Sequence, residues 1–156
     1  MHIYAIGDLH LSGEPPKKPM EIFGEHWLGH KEKVQENWLK QVMENDVVII
    51  CGDISWAMSL SQAAEDLAWI AKLTGRKLLL RGNHDYWWSS LSKMQKLYGN
   101  EFEFLQNNCL LADDVAICGT RGWVLPSSEK FTEEDSKIYQ REAIRLKLSL
   151  DEAVKH

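Results

Sequence analysis

Three short clusters of side chains could do chemistry together: Asp8-Leu9-His10, Gly52-Asp53 and Gly82-Asn83-His84-Asp85. Asp, His and Asn supply a mixed oxygen and nitrogen donor set. Such a set suits Mn, Fe, Zn or Mg rather than thiophilic metals. On an extended segment, the Asp-x-His spacing sends both side chains to the same side, because strand side chains alternate with period two. Gly7, Gly52 and Gly82 permit tight turns just before or at the candidate ligands. Asp53, lying between the other two clusters, could bridge two ions. Each piece is weak alone, since a Gly-Asp after a strand is more often a turn or a helix cap. Their weight comes from where the chain must place them.

The elements around them alternate. His2 to Gly7 reads as a short strand, and Asp46 to Cys51 and Lys77 to Arg81 read as buried strands, apolar on both faces. Between them, Lys31 to Glu44 carries Val34, Trp38 and Val42 at helical spacing. Ser59 and Gln62 form a capping box before a helix to about Leu73, stopped by Gly75. A further helix spans Ser89 to Tyr98 and is closed by Gly99. This β-α-β-α-β-α order predicts an α/β fold with a parallel sheet. All three clusters follow strands, so all three emerge at the sheet's carboxyl edge, where open α/β sheets place ligands.

Glu101 to Leu105, Cys109 to Ala112 and Val115 to Gly119 read as short antiparallel or mixed strands, the last two joined by an Asp113-Asp114 turn. Thr132 caps a helix from Glu133 to Val154, with Tyr139, Ala143, Leu146, Leu150 and Val154 on one face. The loop opened by Ser12-Gly13-Glu14-Pro15-Pro16 runs to about Gly29 and should hang over the site. Its His26 could contact substrate, although His26 and His30 both read first as solvated loop residues. Arg121 could hold a phosphate oxygen or form an ion pair. Asp85 reads as structural, as the cap of the next helix. Of Trp87 and Trp88, one reads as core and one as pocket wall.

The chain has 156 residues, the length of one domain, with a net charge of −5. That charge argues against non-specific nucleic-acid binding, which wants a basic face. No run approaches the roughly 18 apolar residues of a membrane span. The N-terminus lacks signal-peptide regions, and Cys51, Cys109 and Cys118 form no C-x-x-C pair, so a cytoplasmic protein with reduced thiols is expected. Cys51 and Cys118 sit in apolar runs and read as small core residues.

The segments Gly-Asp-Leu-His-Leu-Ser (7–12), Gly-Asp-Ile-Ser-Trp (52–56), Gly-Asn-His-Asp-Tyr-Trp-Trp (82–88) and Cys-Gly-Thr-Arg-Gly-Trp (118–123) resemble the calcineurin-like metallophosphoesterase superfamily, in a bacterial subgroup. The resemblance implies a four-layer sandwich, helices flanking mixed sheets, and two divalent metal ions as cofactors. It implies that Asp8 and His10 bind the first metal, Asp53 bridges, and Asn83 binds the second. His84 would contact the phosphoryl group and help the leaving oxygen, while a metal-bound hydroxide attacks phosphorus.

Two departures from the pattern follow. The family's later lone His and its Gly-His-x-His loop have no counterpart, since the only histidines are His2, His10, His26, His30, His84 and His156. A single, incomplete domain lacking the C-terminal strands is therefore expected, with the second metal site short of ligands. Second, many members place an Asp three residues after the Gly-Asp aspartate to orient the phosphate-contacting His; here that position is Trp56. Two readings result: a metal-dependent phosphoester hydrolase acting on a phosphorylated substrate, or a shortened, catalytically weak paralogue or fragment serving as a binding or structural protein. In a chain shortened in this way, exposed core edges are expected to favour self-association.

Overall fold

The computed structural model describes residues 1–156. Four strands form one wholly parallel sheet in chain order: β1 (Ile3–Ile6), β2 (Val47–Ile50), β3 (Arg76–Leu80) and β4 (Glu103–Leu105). Between consecutive strands lie α1 (His30–Gln41), α2 (Leu60–Ala71) and α3 (Leu91–Tyr98). Right-handed crossovers between neighbours in this order put every connecting helix on the same face of the sheet. The core confirms it. Trp38, Leu67, Ile70 and Met94 from the helices pack with Val48, Ile50, Leu79 and Phe104, the residues on one face of β2, β3 and β4.

The alternate residues Val47, Leu78 and Leu105 face the other way. They are covered by a hairpin of β5 (Cys109–Ala112) and β6 (Val115–Cys118), through Ala112 and Ile117. The fourth layer, α4 (Glu133–Ala153), packs on that hairpin. The result is the four-layer order of helices, sheet, sheet and helix that the resemblance implies, although neither sheet is mixed: the first is wholly parallel and the second is a two-stranded antiparallel hairpin. That sheet does not reach across β1 and β2. Ile3, Ala5 and Cys51 are exposed, so Cys51 is not the core residue its apolar run suggests, and Cys118 is only half-buried.

Several local expectations change for physical reasons. β4 extends the parallel sheet instead of joining the antiparallel hairpin, because α3 supplies one more crossover and sets β4 beside β3. Asp85 does not cap α3; Ser90 does, accepting from the amide of Lys93. The α2 box is offset by one residue: Ser59 accepts from the Gln62 amide, while the Gln62 side chain accepts from Met58. Lys77 of β3 then closes the far end of α2, donating to the carbonyls of Ala71 and Leu73.

The largest change concerns α4. Its capping box is present, built by Thr132 and Asp135. Its inward face, however, is polar. Glu142 and Ser149 are buried, while Ala143, Leu146, Leu150 and Val154 are exposed. Hydrogen bonding explains the choice. The Ser149 hydroxyl donates to the Asn108 carbonyl and accepts from the Gly119 amide, and Glu142 accepts from Thr120 at 2.6 Å. The Ser149 bonds satisfy backbone groups beside β5 and β6, and the Glu142 bond satisfies the Thr120 hydroxyl after β6. The apolar stripe is turned roughly a quarter turn away, as 3.6 residues per turn dictates.

Candidate metal centre

The segment after β1 leaves the sheet but keeps to β2's side. Asp8, His10 and Leu11 donate their amides to the carbonyls of Gly52, Asp53 and Ile54. Leu9 and Leu11 are buried while Asp8 is exposed and His10 is half-buried. The in-and-out alternation expected of Asp-x-His is therefore kept, but not by extended backbone. Asp8, His10 and Asp53 have φ of 56°, 45° and 49°. Only five non-glycine residues lie in this left-handed region, and three of them are the candidate ligands. Such conformations are sparsely populated and collect at functional sites. Here they turn the three side chains to a common point.

The turns after β2 and β3 touch. Gly52, at φ +96°, lies so close to Gly82 that a Cβ on it would meet the Gly82 Cα and N at 2.5 Å. A Cβ on Gly82 would strike the Asp53 amide and Oδ1. The contact exists because both residues are glycine. It brings Asp53 beside the Asn83-His84 turn. The Asp53 carboxylate accepts from the His84 amide at 2.9 Å and faces His84 Nδ1 at 2.8 Å. Burial pushes the Asp53 carboxyl up, but the His84 ring and amide, with His10 nearby, outweigh it and hold the carboxyl below its ordinary value. The Asn83 side-chain nitrogen sits 3.1 Å from His84 Nδ1, so all three belong to one cluster.

Ligand atoms of Asp8, His10 and Asp53 all lie within 4.8 Å of one another. That is close to the spacing around one ion at bond lengths of about 2.1 Å. His10 Nε2 is 3.4 Å from Asp8 Oδ1, and the other ring nitrogen, Nδ1, is buried without a hydrogen-bond partner. Two carboxylates and one imidazole, whose Nδ1 is unpartnered, fit a hard or borderline divalent cation. Asn83 stands beside this trio, joined to it through His84 and Asp53.

Trp56 occupies the place where an orienting aspartate was expected. Its ring stacks on His10 at 4.7 Å and 18°, and leans on His84 at 5.4 Å and 51°. The orienting carboxylate for His84 is Asp53 itself. Trp56 thus positions both histidines by packing, a role that its motif position alone did not indicate. Trp27 adds an edge contact to His10 at 6.3 Å.

Asp85 is fully buried and ties the two turns together. Its carboxylate accepts from the amides of Ile54 (2.8 Å), Ser55 (3.2 Å) and Gly82 (2.7 Å) and from the Trp87 indole (2.9 Å). Burial lifts its carboxyl above the ordinary value, with those four donors opposing. Asp66 of α2, also buried, accepts from the Ser55 hydroxyl and from the Gly13 amide, anchoring the long loop. Nothing in the spacing of residues singled out Asp66; a buried acid in an apolar helix face was the available signal.

The remaining candidates separate. His30 begins α1 and its Nε2 lies 3.0 Å from the Leu9 carbonyl, so it braces the Asp-x-His segment and is not a solvated loop residue. His26 is exposed, near the trio only through its neighbour Trp27. Trp87 and Trp88 are both buried, so neither walls a pocket. Arg121 is drawn to Glu142 of α4 at 3.6 Å and stacks on Trp123.

Residues 1–146 match the family model for calcineurin-like phosphoesterases. Over 109 residues the chain is 29% identical to the Gene 66 protein of Mycobacterium phage D29, a match taking in 67% of this chain and 52% of that protein. The chain thus spans about half the length of that relative. It also superimposes on the crystal structure of a protein of unknown function, AQ665, from Aquifex aeolicus, with a TM-score of 0.55 and 21% identity over 92% of this chain and 71% of that one. That likeness speaks for the fold alone. With the family model spanning β1 to most of α4, the chain belongs to the calcineurin-like phosphoesterase family.

Proposed function

We propose that the protein is a metal-dependent phosphoester hydrolase whose centre is Asp8, His10, Asp53, Asn83 and His84. The observation that carries this reading is the convergence of Asp8, His10 and Asp53, each held at positive φ, on one point at the sheet's carboxyl edge. Asp8, His10 and Asp53 would hold a divalent cation, with Asn83 and Asp53 offering ligands toward a second. The metal, when bound, supplies Lewis-acid activation of water and charge neutralisation at phosphorus; Mn, Fe, Zn and Mg all suit the donors.

The chain's own residues do the rest. An ionised carboxylate only accepts hydrogen bonds, so the proton between Asp53 and His84 sits on His84 Nδ1. That leaves Nε2 as the ring nitrogen that takes or gives a proton at the substrate. His84 is partly exposed, with 41% of its side chain accessible, and so can meet an incoming phosphoryl group. Trp56 and Asp53 fix the plane of the imidazole, which limits the orientations over which a proton can pass. Asp85 holds the Asp53 and His84 turns at a fixed separation. Arg121 and His26 are the side chains we assign to substrate contact beyond the centre. The setting is taken as cytoplasmic; no helix is long and apolar enough to cross a membrane.

The test is an assay of simple phosphomonoesters and phosphodiesters with added Mn, on this chain and on Asp53→Asn and His84→Ala. Metal-dependent turnover, lost in Asp53→Asn and reduced in His84→Ala by 10²-fold or more, is the expected result. Mn binding without turnover in the unaltered chain would favour the alternative, a binding or structural protein that keeps the family's fold.

A further inference from the structure

A cavity of about 60 Å³ lies between the ends of β3, β4 and β6 and the inner face of α4. Arg81, Arg121, Arg145, Thr120 and Asn107 line it, and Glu142 is its single carboxylate. Glu142 is already engaged. Its Oε1 takes Arg145 at 2.7 Å and lies 3.6 Å from Arg121 and 3.8 Å from Arg141, while Oε2 takes the Thr120 hydroxyl. One buried negative charge thus faces several guanidinium groups. Arg81 finds no acid of its own among the residues of the cavity wall, and the Nε atoms of Arg81 and Arg121 are both buried without a hydrogen-bond partner. Guanidinium nitrogens left unpaired in a half-dry cavity call for an anion. Burial first, with crowding by Arg81, Arg141 and Arg145 adding to it and Glu142 opposing, holds the Arg121 guanidinium below its ordinary pKa.

We propose that this cavity is an oxyanion subsite that takes a phosphate or phosphoryl group, separate from the Asp8-His10-Asp53 trio. Its walls offer the planar paired donors that bind one such group. Arg81 immediately precedes Gly82-Asn83-His84, and its backbone carbon lies against Gly52 at the close approach of the two turns. The subsite therefore stands next to the turn that carries His84. On the phosphoesterase reading, a substrate with a second anionic group would reach both, and the subsite would select for it. The anion site itself stands on the cavity and does not depend on that reading.

Binding of inorganic phosphate to the full, metal-stripped chain is measured by titration calorimetry at constant ionic strength. Without metal, the carboxylates of Asp8 and Asp53 repel phosphate, so the arginine cavity alone reports. One saturable site in the unaltered chain is expected, weakened about tenfold or more in both Arg81→Gln and Arg121→Gln. Arg121→Gln also strips a partner from buried Glu142 and can unfold the chain. Arg81→Gln removes a charge with no acidic partner in the cavity, so its unliganded melting temperature should equal or exceed that of the parent. No saturable binding at millimolar phosphate, or equal binding in a folded Arg81→Gln, overturns the proposal. Glucose 1,6-bisphosphate against glucose 6-phosphate, on the Mn-loaded chain, separates the two sources of the anion. Tighter bisphosphate binding that Arg81→Gln abolishes assigns the subsite to substrate; equal binding assigns it to free phosphate. Absence of turnover in the unaltered, Mn-loaded chain with phosphate binding intact would sink the phosphoesterase reading and leave the subsite standing.

Discussion

Replacing Asp85 by alanine should cost about 4 kcal/mol of stability. The carboxylate accepts four hydrogen bonds at 2.7–3.2 Å and its residue is fully buried. Each buried donor left without a partner costs about 1–3 kcal/mol, so the nominal loss is about 4–12 kcal/mol. The turns that carry the donors lie at the edge of the sheet, where shifts of the loops and entry of water recover part of it. The lower end is therefore expected, a large share of the 5–15 kcal/mol by which such domains are stable. Asp85→Asn should cost about half as much. In one orientation its amide oxygen keeps the Ile54, Ser55 and Trp87 bonds, and only the Gly82 amide meets a donor instead of an acceptor. Urea unfolding followed by far-ultraviolet circular dichroism reads both. With a slope of about 2 kcal/mol per molar, Asp85→Ala should lower the midpoint by about 2 M. Because two of the four bonds, from the Ile54 and Ser55 amides, join the Asp53 turn to the Asn83-His84 turn, Mn affinity of whatever remains folded should fall as well. An Asp85→Ala midpoint within about 0.5 M of the parent, a loss near 1 kcal/mol at that slope, would refute the reasoning.

Trp56→Ala should weaken Mn binding by 10- to 100-fold, the range seen when residues that orient ligands are removed, with Trp56→Phe recovering most of it; calorimetry with Mn decides, and unchanged affinity in Trp56→Ala would mean that the stack on His10 is incidental. Asp46 accepts from the Met43 and His2 amides, which hold its carboxyl below the ordinary value, so its contribution to stability is complete above about pH 4 and is lost as pH falls through the lower, folded-state pKa. Acid titration of the melting temperature should show a shallower fall below pH 4 in Asp46→Asn than in the parent, and parallel curves would contradict the assignment. Leu146 and Leu150 lie 39% and 50% exposed on α4, and the far face of β1 is uncovered. Self-association that rises with concentration in light scattering, and falls in the Leu146→Lys, Leu150→Lys double variant, is expected; a monomer at every concentration would count against it.

Alternation of apolar strands with capped helices was enough to order β1, α1, β2, α2, β3 and α3, because period and punctuation are local properties of the chain. It was also enough to collect Asp8, His10, Asp53, Asn83 and His84 at one edge, since a parallel sheet carries every strand-to-helix turn to the same end. Beyond that, local signals misled wherever a long-range partner was stronger than the pattern. The apolar stripe of α4 lost to Glu142 and Ser149, because unsatisfied groups at the ends of β5 and β6 needed hydrogen bonds more than the leucines needed cover. β4 joined the parallel sheet because α3 carried it there. Trp56, a departure from the expected aspartate, became a wall for two histidines only when the turn folded it against them. Asp-x-His spacing named candidate ligands, but three left-handed residues, set by neighbours some 40 positions away, aim them. Donor chemistry is written in residue types, which the chain states outright. Aim, burial and the stray charge of Arg81 depend on contacts between distant segments, and those exist only in the folded molecule.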